Sequence, residues 1–182
     1  MLLLMAKPEL TNSFLLEFSG EHLAYEVENF FACAAELLVP HGNYSLNIRN
    51  ALLSGFTMHA RSILFFLYAD KNPKPDDALA QDFLRDGLTW SKIRPDMPES
   101  LRLLQRRVGK EIVHLTYSRM EVSESAREWN LGQIICDFVP VFAKFTGNSD
   151  RAKLHENVIE SGNRWMSVFM RAGLIERVPG PT

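Results

Sequence analysis

The stretch from Pro98 to Met120 constrains the fold of this chain most, because it carries the clearest helical periodicity in the sequence. Its apolar residues recur every three or four positions, at Leu101, Leu104, Val108, Ile112 and Leu115. That spacing places them on one side of an α-helix. A helix with such a stripe must bury it against other elements, so we predict that the 98–120 helix is central in the fold.

A second face of the same helix carries reactive side chains. Arg107 and His114 are seven residues apart, about 700° of helical rotation, so they lie within about 20° of each other. Lys110 and Glu111 lie between them. A histidine and a guanidinium side by side on a rigid helix are suited to binding and cleaving a phosphodiester. The same residues are equally typical of an ordinary polar surface, and both interpretations stay open.

Four further segments have helical spacing, and each begins at a residue type that commonly caps a helix. The predicted starts are Ser19, Ser45, Asn130 and either Ser149 or Asp150. The predicted ends are the break at Pro40, Asp70, Gly147 and a point before Pro179. In the second of these helices the predicted core face is Ile48, Leu52, Phe56, Ile63 and Leu67. In the third, Pro140 should bend or restart the helix, because proline removes a backbone hydrogen bond.

Residues 70–98 contain several prolines and should form no long regular element. We predict a short helix over residues 77–84 and a packed crossover anchored by Phe83, Trp90 and Ile93. No strand pattern is found. The sequence therefore predicts an all-α bundle of about five helices, with a long crossover between the second and third main helices. It should form a single helical domain over residues 1–182, with an N-terminal arm at 1–18 and the bundle at 19–178.

Composition narrows the class of protein. The chain has 182 residues, 46% hydrophobic and 23% charged, which is typical of one globular domain. It has no apolar run as long as the ~18 residues that a membrane span needs. The apolar run at its N-terminus is too short for a signal peptide. Cys33 and Cys136 lie in apolar helical patterns, which favours reduced, buried thiols. We therefore expect a cytoplasmic protein that does not contact a membrane.

Charge is unevenly distributed although the net charge is only -2. Residues 1–38 hold six glutamates against one lysine, whereas residues 92–119 hold seven basic residues against three acidic ones. A basic segment on a mildly acidic protein suits an anionic ligand or an acidic partner surface. A solvated helix face, balanced by the acidic N-terminal helix, is an equally good explanation.

Metal and cofactor sites have little support in the sequence. Glu111 and His114 have the Glu-x-x-His spacing of di-metal bundle proteins, but no other histidine has a glutamate three residues before it. His59, His114 and His155 lie on separate predicted helices, and nothing indicates that they converge. For His59, a half-buried position with a hydrogen bond to a neighbouring helix is favoured over a direct functional role. We expect no metal and no cofactor.

Several motifs resemble known proteins. The HAR sequence at His59, the Trp90–Pro95 segment, KEIVHLTYSR at 110–119 and the helix start at Trp129 are similar to a family of uncharacterised bacterial proteins, over about residues 21–146. The spacing of Arg107 and His114 is similar to the Arg-x4-6-His motif of the HEPN superfamily, small all-α domains of prokaryotic nucleotide-binding and ribonuclease systems. Many members are dimers in which two motif helices meet at one RNA-cleaving site. The resemblance implies that Arg107 stabilises phosphate and His114 transfers protons.

Two functions follow as hypotheses. The first is a HEPN-like, metal-independent ribonuclease or RNA-binding protein with Arg107 and His114 as catalytic residues. Its further RNA or nucleotide contacts would be Arg106, Lys110, Tyr117, Arg119 and His59. The alternative is a non-enzymatic interaction module of a bacterial regulatory or defence system, whose basic helix binds an acidic partner or the acidic helix of another protomer. In either case we expect a homodimer, because Leu103 and Tyr117 give the polar face of the 98–120 helix an apolar fringe.

Overall fold

The computed structural model describes residues 9–38, 44–69, 73–108, 117–120 and 128–175 of the chain. In those ranges the protein is helical and contains no β-strand, and its one β-bridge joins Leu84 to Ser149. The predicted all-α bundle of about five helices is confirmed.

The helices are bounded as follows. The chain forms α1 (Asn12–Phe18), a π-helical turn (Ser19–Leu23), α2 (Ala24–Leu38), α3 (Leu46–Tyr68), α4 (Trp90–Ile93), α5 (Glu99–Arg107), α6 (Leu131–Asn148) and α7 (Glu156–Arg171). Two 3-10 turns lie at Ala80–Phe83 and Tyr117–Met120.

The N-terminal part of the structure differs from the prediction. Residues 12–18 are helical rather than a loose arm, and the side chain of Thr11 caps α1 by accepting a hydrogen bond from the Phe14 amide at 3.2 Å. Ser19 was predicted to be an N-cap, which is wrong. It lies inside the continuous helical path, and its hydroxyl accepts a hydrogen bond from the His155 amide at 2.9 Å. That hydroxyl therefore joins the π-helical turn to the cap of α7 instead of starting a helix.

The helix α3 begins as predicted, with Ser45 accepting a hydrogen bond from the Ile48 amide. Its later turns are buried at Phe56, Ile63 and Leu67. Ile48, however, is 47% exposed, so its assignment to the core face is wrong: the first turn of α3 extends beyond the core. By length and composition α3 could also cross a membrane, with a mean hydropathy of 1.2, but 44% of that window is buried inside the protein.

The centre of the core is an aromatic cluster around α2. Phe30 and Phe31 of α2 contact Phe138 of α6 at ring-centroid distances of 4.6 and 5.6 Å. Phe30 also stacks on Phe56 of α3, and Phe31 contacts Phe169 of α7. Among the described residues α2 is central, since three other helices contact it. Residues 109–116 of the predicted 98–120 helix lie outside the described residues, so the central place of that helix stays a prediction.

The helix α5 contacts α3 and α6 from one side. Leu101, Leu104 and Val108 are almost fully buried, which confirms this part of the predicted stripe. Ile112 and Leu115 lie outside the described residues. The crossover before α5 is packed as predicted: Phe83 and Trp90 are buried, and the Trp90 indole donates a hydrogen bond to the Leu67 carbonyl at 2.7 Å.

The last two helices confirm one predicted start and correct the other. Asn130 caps α6 by accepting a hydrogen bond from the Gln133 amide at 3.1 Å, and α6 passes through Pro140 without a restart. The start predicted at Ser149 or Asp150 is wrong, because α7 begins at Glu156 with His155 as its cap. The Ser149 hydroxyl instead donates back to the Phe145 carbonyl of α6 at 2.8 Å.

Cys33 and Cys136 are free thiols, as predicted, but they are half-buried rather than fully buried. Burial raises the pKa of both thiols, with nearby carboxylates adding to the effect. They are therefore poor nucleophiles at neutral pH.

Candidate nucleic-acid interface

Arg107 is the predicted site residue whose surroundings the structure describes most fully. It lies in the last turn of α5, half-buried, with its guanidinium carbon 3.9 Å from the centroid of the Trp129 ring. Its Nη1 atom donates a hydrogen bond to the Glu128 carbonyl at 3.0 Å. The stack on the indole and the hydrogen bond together orient the plane of the guanidinium.

Trp129 is held in place by the start of α6. The Asn130 side chain caps that helix, and the Leu131 amide donates to the Trp129 carbonyl at 2.8 Å. The indole is half-buried and packs against the hydrophobic core. Arg107 therefore stacks on an aromatic ring that the cap of a neighbouring helix positions.

An open cavity of about 420 Å³ lies beside this stack. Trp129 and Glu128 form one part of its wall, and Arg49 and Asn50 from the first turns of α3 form another. The side chain of Arg49 is exposed and makes no hydrogen bond or ion pair with the described residues, whereas its backbone amide donates to the Ser45 carbonyl at 3.0 Å. We call Arg49, Arg107 and Trp129 the Arg-Trp face. It combines two positive charges with an aromatic ring, the combination by which proteins bind single-stranded nucleic acid.

Arg106 was predicted to contact phosphate, and in the structure it pairs with a carboxylate. Its Nη2 atom is 2.8 Å from Oε1 of Glu99, and Nε of Arg102 is 3.2 Å from the other oxygen of that carboxylate. The hydrogen bond from Arg106 and the charges of both arginines hold the pKa of Glu99 below its usual value. All three groups are exposed, so this ion pair adds little to stability and could exchange for a phosphate.

Other predicted site residues are described only in part. His114 and Lys110 lie outside the described residues, as does the side chain of Arg119, so the pairing of Arg107 with His114 stays a prediction. Tyr117 lies in a 3-10 turn and is 93% exposed.

His59 belongs to a different part of the molecule. Its Nδ1 atom is 2.9 Å from a carboxylate oxygen of Glu26 on α2, and the edge of the Tyr25 ring lies against it. This is the half-buried histidine, bonded to a neighbouring helix, that the sequence favoured. His59 is ten residues beyond Arg49, about 15 Å further along α3, and does not line the cavity of the Arg-Trp face.

No metal site emerges in the part of the chain that the structure describes. His155 caps α7, His59 pairs with Glu26, and no cluster of three histidine, cysteine or acidic side chains could hold a metal ion there.

Sequence reasoning missed two members of the Arg-Trp face. Trp129 entered only as part of a family resemblance, and Arg49 was not considered. The one sequence signal for Arg49 was a basic residue in the first turn of a predicted helix, but the exposure of that turn was not predicted.

Comparisons with known proteins give no match: no protein-family model, no curated protein and no solved structure is similar to this chain.

Proposed function

We propose that this chain is a HEPN-like protein that binds single-stranded RNA at the Arg-Trp face and cleaves it with Arg107 and His114. The observation that carries the binding proposal is the stack of Arg107 on Trp129, beside a cavity that Arg49 also lines. Cleavage rests on the resemblance alone, which gives His114 the role of proton transfer.

The chemistry of the face favours RNA over a simple anion. A guanidinium binds phosphate, and unpaired bases stack on aromatic rings and on arginine planes. In the Arg-Trp face a stacking surface and a phosphate-binding arginine lie next to each other. The base of a nucleotide could therefore stack at Arg107 and Trp129 while its phosphate binds Arg49. A base must leave its own stack for this contact, which favours single-stranded RNA.

The low net charge supports a local site. At a net charge of -2 the whole molecule does not attract polyanions, so affinity must come from a few positioned cations. Each phosphate contact on single-stranded nucleic acid should then contribute about 0.7 to the slope of log affinity against log salt concentration.

Binding of a fluorescently labelled single-stranded RNA, followed by anisotropy at several salt concentrations, tests the proposal. Arg49→Ala should weaken binding and reduce the salt slope by about 0.7. Arg61→Ala is the matched control, since Arg61 is an exposed arginine about 18 Å further along the same helix. Equal effects of the two substitutions, or no binding by the unmodified protein, would overturn the proposal.

Arg107→Lys separates charge from stacking. Lysine keeps the positive charge but has no planar group to hold against the indole. We expect weaker binding by about fivefold to a hundredfold with an almost unchanged salt slope, because base stacking is worth about 1–3 kcal/mol. A smaller salt slope without weaker RNA binding would contradict the stacking role of Arg107.

Cleavage is tested separately with His114→Ala. The variant should bind RNA as the unmodified protein does and fail to cleave it, because it lacks only the proton-transfer group. A contaminating nuclease would survive the substitution, so cleavage that persists in the variant removes the catalytic part of the proposal.

A second candidate is the non-enzymatic interaction module, which exposed apolar side chains favour. Leu46 is 72% exposed, Leu103 44%, and Met120 86%. Apolar side chains that form a contiguous exposed patch mark protein interfaces, and this candidate requires that some of these three belong to such a patch. In this candidate RNA does not bind, and an acidic partner covers the basic side of α5.

A further inference from the structure

A small cavity of about 200 Å³ lies away from the Arg-Trp face, between the π-helical turn, α2, α3 and the loop at residues 77–78. Its walls are mainly apolar and include the rings of Phe18, Phe65 and Phe66. Two carboxylates, Glu26 and Asp77, also line it.

The charge of this cavity has one sign. No lysine or arginine is present among the described residues that line it, and its one nitrogen base is His22. Each carboxylate has one oxygen engaged: Glu26 with Nδ1 of His59 at 2.9 Å, and Asp77 with the Lys74 amide at 2.6 Å. The second oxygen of each makes no hydrogen bond to the described residues, so each can accept one from a ligand.

We infer that this cavity binds a small organic ammonium ion with a compact aromatic body. Aromatic faces attract cations, and carboxylates accept strong hydrogen bonds from an ammonium group. A neutral apolar ligand would leave the second oxygen of each carboxylate buried without a hydrogen bond, and an anion would be repelled by both carboxylates. Size agrees: a cavity of about 150 Å³ holds benzene, so this one can hold a ring with a short ammonium arm.

The inference does not depend on the RNA proposal. The cavity and the Arg-Trp face share no residues, and Phe65 is about 24 Å beyond Arg49 along α3. Either proposal can therefore be disproved without affecting the other.

Titration calorimetry with 2-phenylethylamine tests the inference, and 2-phenylethanol is the neutral control of matched shape. We expect the amine to bind about tenfold more tightly than the alcohol, because only the amine pairs with the carboxylates. Equal affinities of amine and alcohol, or no binding of the amine at millimolar concentration, would overturn the inference.

Variants identify the site. Asp77→Asn should weaken amine binding about fivefold to tenfold without changing the weak binding of the alcohol. Glu160→Gln is the control, since Glu160 is an exposed carboxylate that lines a different cavity, between α2 and α7. Phe65→Ala, at a ring that is 39% exposed, should weaken both ligands without disturbing the core. If Asp77→Asn and Glu160→Gln have the same effect, the amine binds elsewhere and the inference is wrong.

Discussion

Among single residues, Gly162 sets how closely α6 and α7 can pack. A Cβ atom at this position would lie 2.3 Å from Cε1 of Phe142, which is closer than any real contact. The Phe142 ring cannot retreat, because it is buried and stacks on Phe138 in the aromatic cluster. We predict that Gly162→Ala lowers the free energy of unfolding by about 1–3 kcal/mol, as overpacking does, measured by urea denaturation.

Gly147→Ala is the matched control for that prediction. Gly147 is also helical, in α6, but a Cβ atom there would meet nothing within 4 Å. Alanine should therefore raise the free energy of unfolding by about 0.5–1 kcal/mol through its higher helix propensity. The packing argument is wrong if both substitutions change stability in the same direction.

The candidate site was predictable only as far as local patterns reach. Arg107 could be found because its position on an amphipathic helix is a local property. Its partner Trp129 could not, since contact between the end of α5 and the start of α6 depends on how the two helices pack. For the same reason the sequence could not pair His59 with Glu26, although it predicted the kind of partner.

Among the helices, the predicted starts show which capping residues can be recognised from the sequence. Ser45 and Asn130 cap their helices because each accepts a hydrogen bond from an amide three residues later. Ser19 has a side chain of the same kind, but its hydroxyl accepts a hydrogen bond from the distant His155 amide. A distant donor competes with the local one, and no local pattern reveals that competition.

Glu28 clamps α2 to α7. It accepts hydrogen bonds from the Ser161 hydroxyl at 2.6 Å and the Trp165 indole at 3.0 Å, and it pairs with Arg164. Burial alone would raise the pKa of Glu28, but the hydrogen bonds from Ser161 and Trp165 and the charge of Arg164 outweigh it, so the pKa is lowered. The ionised form therefore stabilises the folded state.

This clamp predicts a pH dependence with a definite sign. A lowered folded-state pKa contributes stability that is complete above the unfolded value of 4.5 and disappears as the pH falls through the folded value. Glu28→Gln should thus lower the free energy of unfolding at pH 7, with a difference from the unmodified protein that shrinks as the pH falls below the unfolded value of 4.5. Denaturation at several pH values measures it. Glu160→Gln should show no such trend, and a constant difference for Glu28→Gln would contradict the clamp.

For the whole molecule, the proposed function predicts a homodimer. Leu103 is 44% exposed on the solvent side of α5, next to the Arg-Trp face, and a twofold axis there would bring both copies of Arg107 together. We expect a dimer by sedimentation at micromolar concentration, and we expect Leu103→Asp to dissociate it. Met170→Asp, at a 37% exposed site on α7, should leave it intact. A protein that stays monomeric with and without RNA would exclude a site formed by two copies of Arg107.

The position of α2 at the centre has a consequence for how the chain is made. Its aromatic side chains are covered on one side by α7, and Ser161 and Glu28, which join the two helices, are 133 residues apart in the sequence. During synthesis α2 emerges well before α7, so the nascent chain lacks the α7 side chains that cover Phe31 until Glu156–Arg171 has been translated. We therefore expect this bundle to complete its folding only after α7 has left the ribosome, with chaperones shielding α2 until then.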